Sequence, residues 1–215
     1  MNERNKRRLG EQIEPGGRPK APGRLGLLQR FVNTWNRDLP AEWDRLCAPE
    51  KASSWLIAKK LVAKGTRISA QDAAQLREVR EALRELALAN QGIVPRVEVV
   101  QRLRVASSKA TLRVRFDPRG RTTLEPPPSG VCRAIAALLA ILHEARVSGT
   151  WARFKGCRQC GYGFYDRSKN RSAAWCAMSI CGNRTKNRAY RKRSLTRTRR
   201  RPRRTRRPSS LPKGA

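Results

Sequence analysis

The sequence predicts an α+β fold: a mainly helical N-terminal domain with one β-hairpin, then a small C-terminal module built on four cysteines, then a disordered basic tail. Three observations carry that prediction. Apolar residues recur every three or four positions in several segments before residue 150, the period drops to two in one pair of segments, and four of the six cysteines fall between Cys157 and Cys181. At 215 residues the chain can bury a core without covalent staples, so the cysteines are free for other chemistry.

Residues 1–23 mix charges with Pro15, Pro19, Pro22 and several glycines, the composition of a disordered arm. The domain at 24–150 opens with "RLGLLQRFVNTWN", a helical pattern that sets Leu28, Phe31, Val32 and Trp35 on one face. Pro49 suits the first turn of a second, short helix carrying Trp55, Leu56 and Leu61 inward. The clearest helix is "SAQDAAQLREVREALRELALANQG": Ser69 can cap it, Asp72 complements the N-terminal dipole, Leu76, Val79, Leu83 and Leu86 form its stripe, and Gly92 ends it. "PRVEVVQRLRVASS" reads as a further helix from Pro95. Then "TLRVRF" alternates Leu112, Val114 and Phe116, "DPRG" supplies turn residues, and "RTTLEP" returns with Thr122 and Leu124, which is a hairpin. Val131 to Arg146 is apolar nearly all round and should be the central buried helix. On it, His143 beside Glu144 is expected to pack or to bond locally, and Cys47 and Cys132 to be buried as small apolar residues. No phosphate loop, Ser/His/Asp arrangement or paired carboxylate motif is legible, so a non-enzymatic protein is expected.

Charge narrows the partners. With 49 Lys+Arg against 16 Asp+Glu the net charge is +33, which suits a polyanion, nucleic acid first among them. The excess is concentrated: from Gly182 to Ala215 there are 15 basic residues and no acid, and from Trp151 onward the only acid is Asp166. "MNERNKRRLG" is not followed by the apolar run of a secretory signal, and the longest apolar stretch, Val131 to Leu142, is too short to cross a bilayer. A cytoplasmic, nucleoid-associated protein without membrane contact is the expectation.

In the module at 151–193, Cys157 and Cys160 are spaced Cys-x2-Cys and Cys176 and Cys181 Cys-x4-Cys, fifteen residues apart. A two-residue knuckle aims two thiolates at one ion, and a second pair completes a closed tetrahedral site, so one structural zinc and no metal catalysis is the reading. A thiol redox motif is the competitor, but "FKGCRQCGYGF" reads as knuckle and hairpin instead of strand and helix start. Tyr162, Phe164, Tyr165 and Trp175 are expected to pack around the ion. From the second pair a helix should continue, with Arg184, Arg188 and Arg191 at i, i+4 and i+7 and Lys186, Lys192 and Arg193 widening the basic face. Those side chains can meet phosphates, while Asn183 or Asn187 could read an adenine edge in a major groove of duplex DNA. The plain alternative is a solvated helix whose Arg184 pairs with Asp166. Residues 194–215 form an arginine-rich, proline-broken tail that attracts phosphate without specifying sequence.

"WCAMSICGNRTKNRAYRKR", preceded by "FYDRSKNRS", resembles the CGNR zinc finger, its motif being Cys181, Gly182, Asn183 and Arg184. "GLLQRFVNTWN", the text at Val79 to Asn90, "LRVRFDPRG" and "SGTWARFKGC" follow the order of the ABATE-domain proteins of bacteria, described as stress-induced transcription regulators. The resemblance covers about residues 24 to 193. It implies a helical regulatory or dimerising domain joined to a zinc finger that binds DNA, hence a transcriptional regulator and a homodimer through the N-terminal domain. The readings from other classes are an RNA- or ribosome-associated basic protein and a thiol redox sensor that releases zinc.

Overall fold

Residues 17, 18, 20–127 and 129–199 are described by a computed structural model of the chain. Among the described residues, five α-helices precede residue 150: α1 (Leu25–Val32), α2 (Pro49–Ala58), α3 (Ala70–Ala89), α4 (Val97–Ser108) and α5 (Gly130–Val147). The anchor is α3. Its start is fixed by a full capping box, in which Ser69 Oγ accepts from Asp72 N at 3.1 Å and the Asp72 carboxylate accepts from Ser69 N at 2.9 Å. α3 packs against α1, α2, α4 and α5, and its stripe Leu76, Val79, Leu83 and Leu86 shares one core with Ala134, Ile135, Leu138 and Ile141 of α5, which are nearly inaccessible. Each fully buried Leu or Ile of that set contributes about 1.5–3 kcal/mol.

The hairpin forms as β1 (Arg113–Phe116) and β2 (Thr122–Glu125), antiparallel, with Val114 opposite Leu124 and Phe116 opposite Thr122. Asp117 sets its turn, accepting from Arg119 N and Arg121 N at 2.8 and 2.9 Å. Alternation suggested a buried face, yet Val114 and Phe116 are 59% and 70% exposed: the strands pair with each other more than they pack against any helix. A two-stranded ribbon with a bare apolar face is marginal by itself.

Other expectations need correction. α1 stops at Val32, so Trp35 lies in the following loop, where its Nε1 donates to the carbonyls of Leu39 and Pro40 at 3.2 Å. His143 is exposed; its neighbour Glu144 pairs with Arg24 at 2.6 Å. Cys47 is exposed, because it precedes α2 on the solvent side, and Cys132 only half-buried against the core. Residues 1–16 of the expected arm lie outside the described residues, but its end is seated: Ala21 is buried and its N–H donates to Gln29 Oε1 at 2.7 Å.

The large core continues past residue 150. After α5, a short turn at Thr150–Arg153 leads into β3 (Phe154–Gly156), which pairs antiparallel with β4 (Gly163–Tyr165). Trp151, Phe154 and Tyr165 belong to the large helical core, so Tyr165 packs there and not around the cysteines. The cysteines make a second, small cluster with Phe164, flanked by Tyr162, Ala173 and Trp175.

Candidate metal centre and basic helix

β3 and β4 bring Cys157 and Cys160 to one point. The knuckle between them is closed by Cys157 N donating to Tyr162 O and Gly161 N to Cys157 O, both at 2.8 Å. Gly161 holds φ +75, and a Cβ there would stand 3.0 Å from Arg84 Cδ, so both the turn and the close approach call for glycine. The second pair is positioned by a single wide turn, Met178–Gly182, in which Cys181 N donates to Ala177 O at 3.1 Å. A Cβ on Gly182 would run into Met178 Sδ.

The four sulfurs lie within 4.8 Å of one another, and their residues are at most 3% exposed. Cys160 Sγ is 3.8 Å from Cys176 Sγ, which is 3.7 Å from Cys181 Sγ. Sulfurs about 2.3 Å from a shared zinc are about 3.8 Å apart at tetrahedral angles, so the donor set fits one zinc ion in kind and in spacing. Four thiolates in one buried cluster also need a cation. Hydrogen bonds from Cys160 and Cys176 pull the Cys157 thiol far below its ordinary range; the same contact with Cys157 pushes Cys160 up to about 12. A divalent ion removes that conflict by replacing the protons. The cofactor is therefore one structural zinc, with no coordination position left for substrate.

Four sets of contacts, buried or partly buried, hold the site. Lys155 donates to Asp166 at 2.9 Å with both side chains nearly inaccessible, and Lys155 also reaches the Arg171 carbonyl. Burial alone would raise the Asp166 pKa; Lys155, with Ser168 and Ala173 N–H donors, outweighs it and holds the carboxyl at about 2. This pair folds the loop that leads to Cys176. Arg84, fully buried on α3, donates to the carbonyls of Gly161 in the knuckle and of Val32 and Trp35 after α1. Burial lowers its pKa, and Glu81 at 2.9 Å offsets part of that. Asn33 exchanges two hydrogen bonds with Gly163, at 2.8 and 2.7 Å. From the other end of the chain Arg18 donates to the carbonyls of Cys176 and Trp175 at 2.6 and 3.2 Å and stacks over Phe164 at 4.7 Å.

The wide turn runs straight into α6 (Asn183–Arg199), longer than the spacing suggested by several residues beyond Arg193. Among the expected nucleic-acid contacts, Arg184 and Asn183 turn back to partners inside the protein. Arg184 pairs with Asp38 at 2.8 Å, not with Asp166, which Lys155 holds; the contact raises the Arg184 pKa. Asn183 donates to Ser179 O at 3.4 Å, one turn back. Lys186, Asn187, Arg188, Arg191, Lys192 and Arg193 are all exposed, as is Tyr190 between them. Tail residues from 200 on lie outside the described residues.

Sequence spacing located the cysteines but not Arg84, Asn33 or Arg18, which act through backbone carbonyls and leave no motif. Asp166 had one available signal: it is the sole acid after Trp151. Two family models match the chain: ABATE, described as "Putative stress-induced transcription regulator", over residues 26–146, and the CGNR zinc finger over residues 153–194. No curated protein matches the sequence.

Proposed function

We propose, on the premise that the chain belongs to the ABATE family and closes with a CGNR zinc finger, that it is a zinc-dependent transcription regulator binding duplex DNA through α6. The observation that carries this reading is an exposed basic helix launched from a buried four-sulfur site. Cys157, Cys160, Cys176 and Cys181 hold the zinc, which supplies folding free energy of about 10 kcal/mol or more and no chemistry of reaction. The protein's own residues do the binding. Lys186, Arg191, Lys192 and Arg193 meet phosphates, and the arginines of the tail add sequence-independent attraction. Asn187 and Arg188, further along α6 than the residues tied back to Ser179 and Asp38, reach base edges. A helix of this width fits the major groove.

The test is selection of bound fragments from a random duplex pool, run beside a structured RNA pool at one salt concentration, with the zinc-loaded chain. A duplex motif enriched over successive rounds supports the reading. Enrichment from the RNA pool alone overturns it in favour of the RNA-associated protein. Because all four sulfurs are buried, mild oxidant at neutral pH should leave duplex binding unchanged, unlike that of a redox sensor.

A further inference from the structure

The loop that follows α1 has two sides. On one side it grips the zinc finger: Asn33 bonds Gly163 twice, Arg37 N donates to Cys160 O at 2.9 Å, and Asp38 pairs with Arg184 at the start of α6. On its other side Asn33 and Thr34 form one wall of a cleft of about 790 Å³. Trp43 and the edge of the largely buried Trp55 line the cleft, and Arg45, Lys59 and Lys51 bring cationic groups to it, Lys51 donating to the Glu42 carbonyl at 2.7 Å. Glu42 and Glu50 are its acids besides Asp44, which is held by Arg80 at 2.5 Å.

The cations set the chemistry of an occupant. Partial burial pushes the Lys59 ammonium below the ordinary lysine range, and Arg30, Arg45 and Lys20 push it further in the same direction. Arg30 Nε is buried without a hydrogen-bond partner among the described residues. A negative group beside Lys59 would relieve the mutual repulsion of these side chains. The half-buried indole of Trp43, with the small accessible edge of Trp55, whose ring otherwise packs on Phe31 in the core, gives apolar surface that suits an aromatic ring carrying an acid.

We propose that this cleft is an effector site for a planar organic anion, an aromatic carboxylate in its simplest form, seated on Trp43 with its acid group at Lys59 and Arg45. Its occupancy is transmitted to the finger by the loop, because Asn33 and Thr34 touch the cleft while Asn33, Arg37 and Asp38 hold the knuckle and α6. By linkage, a ligand that prefers one position of this loop changes how firmly the knuckle holds zinc.

The experiment is calorimetric titration of the zinc-loaded full chain with 2-naphthoate and with its uncharged counterpart 2-naphthamide. Naphthoate should bind saturably at one site, and both the amide and the Lys59→Met variant should bind about tenfold more weakly or worse, as for loss of a charge-assisted contact. Circular dichroism checks that the variant is folded. Equal binding of acid and amide, unchanged binding in Lys59→Met, or no saturable binding overturns the site. With naphthoate saturating, transfer of zinc to a chelator should change rate by about fivefold or more. An unchanged rate with the cleft filled overturns the coupling. Neither arm uses nucleic acid, so both stand apart from the fate of the DNA-binding reading.

Discussion

A guanidinium or ammonium deep in this protein is tolerated only where carbonyls and carboxylates surround it, and Arg84 and Lys155 are both placed so. Removing one member of a buried ion pair leaves the other uncompensated, at a cost of about 3–5 kcal/mol. Lys155→Met should therefore lower stability by about that amount, measured by denaturant unfolding of the zinc-loaded chain, and adding Asp166→Asn should restore part of it. A double variant as unstable as the sum of the singles would deny the coupling. The pair also carries a pH signature. The Asp166 carboxyl titrates at about 2 in the folded protein, below the ~3.9 of an unfolded chain. Its stabilisation is present in full above the unfolded value and fades as pH falls through the folded one. The stability gap between wild type and Asp166→Asn should be flat from about pH 7 to 5 and narrow below about pH 4. At this scale the cysteines were legible because ligand spacing is a local property. Arg84 was not, since its three carbonyl partners lie 49 to 77 residues away in sequence.

Among the elements, α6 carries the sharpest expectation. Asn187→Ala and Arg188→Ala should each cost about 1–3 kcal/mol on a selected duplex and much less on a scrambled one, because a base contact discriminates and a phosphate contact does not. Arg184→Ala should behave differently, weakening both duplexes alike, since its partner Asp38 fixes where the helix starts and not what it reads. Binding of the three variants to both duplexes at one fixed salt concentration decides this; equal losses for Asn187 and Arg188 on the two duplexes would leave only a general clamp. Helix periodicity made α1 to α5 legible, and the capping box fixed the start of α3. The hairpin was found from its period of two, but its exposure was not, because alternation reports which residues share a face and not whether anything covers that face. Similarly Trp35 fits the stripe of α1 in sequence and leaves it in space, where the helix ends at Val32.

At the scale of the whole molecule, the finger and the helical half share one core through Phe154 and Tyr165. Zinc removal should therefore not release residues 151–193 as a block. In the Cys176→Ser variant, hydrogen exchange should rise sharply at Ala173 to Gly182 and along the first turns of α6, while β3, β4 and α3 stay protected, and zinc content should fall to near zero. Protection lost equally at β3 would show that the ion and not the core holds that strand. The composition shift near residue 150 says nothing of this shared packing, because core partners are matched by shape across long separations that one sequence does not display.

The contact of Arg18 with the Cys176 and Trp175 carbonyls spans 158 and 157 positions of the chain. During synthesis Arg18 is made 158 positions before Cys176, so its seat does not exist until that intervening chain has been added, and the loop it closes is a long one. Loop closure of that length costs more entropy than any local contact here, though only logarithmically in length. Arg18 is therefore expected to dock late, as a latch on Trp175, Cys176 and the Phe164 ring. Arg18→Ala should leave the refolding rate of the helical half unchanged, yet speed loss of zinc to a chelator. Stopped-flow refolding followed by tryptophan fluorescence, paired with a chelator assay, separates the two. A slowed helical phase would place the Arg18 contact in the folding nucleus instead of on the finished metal site.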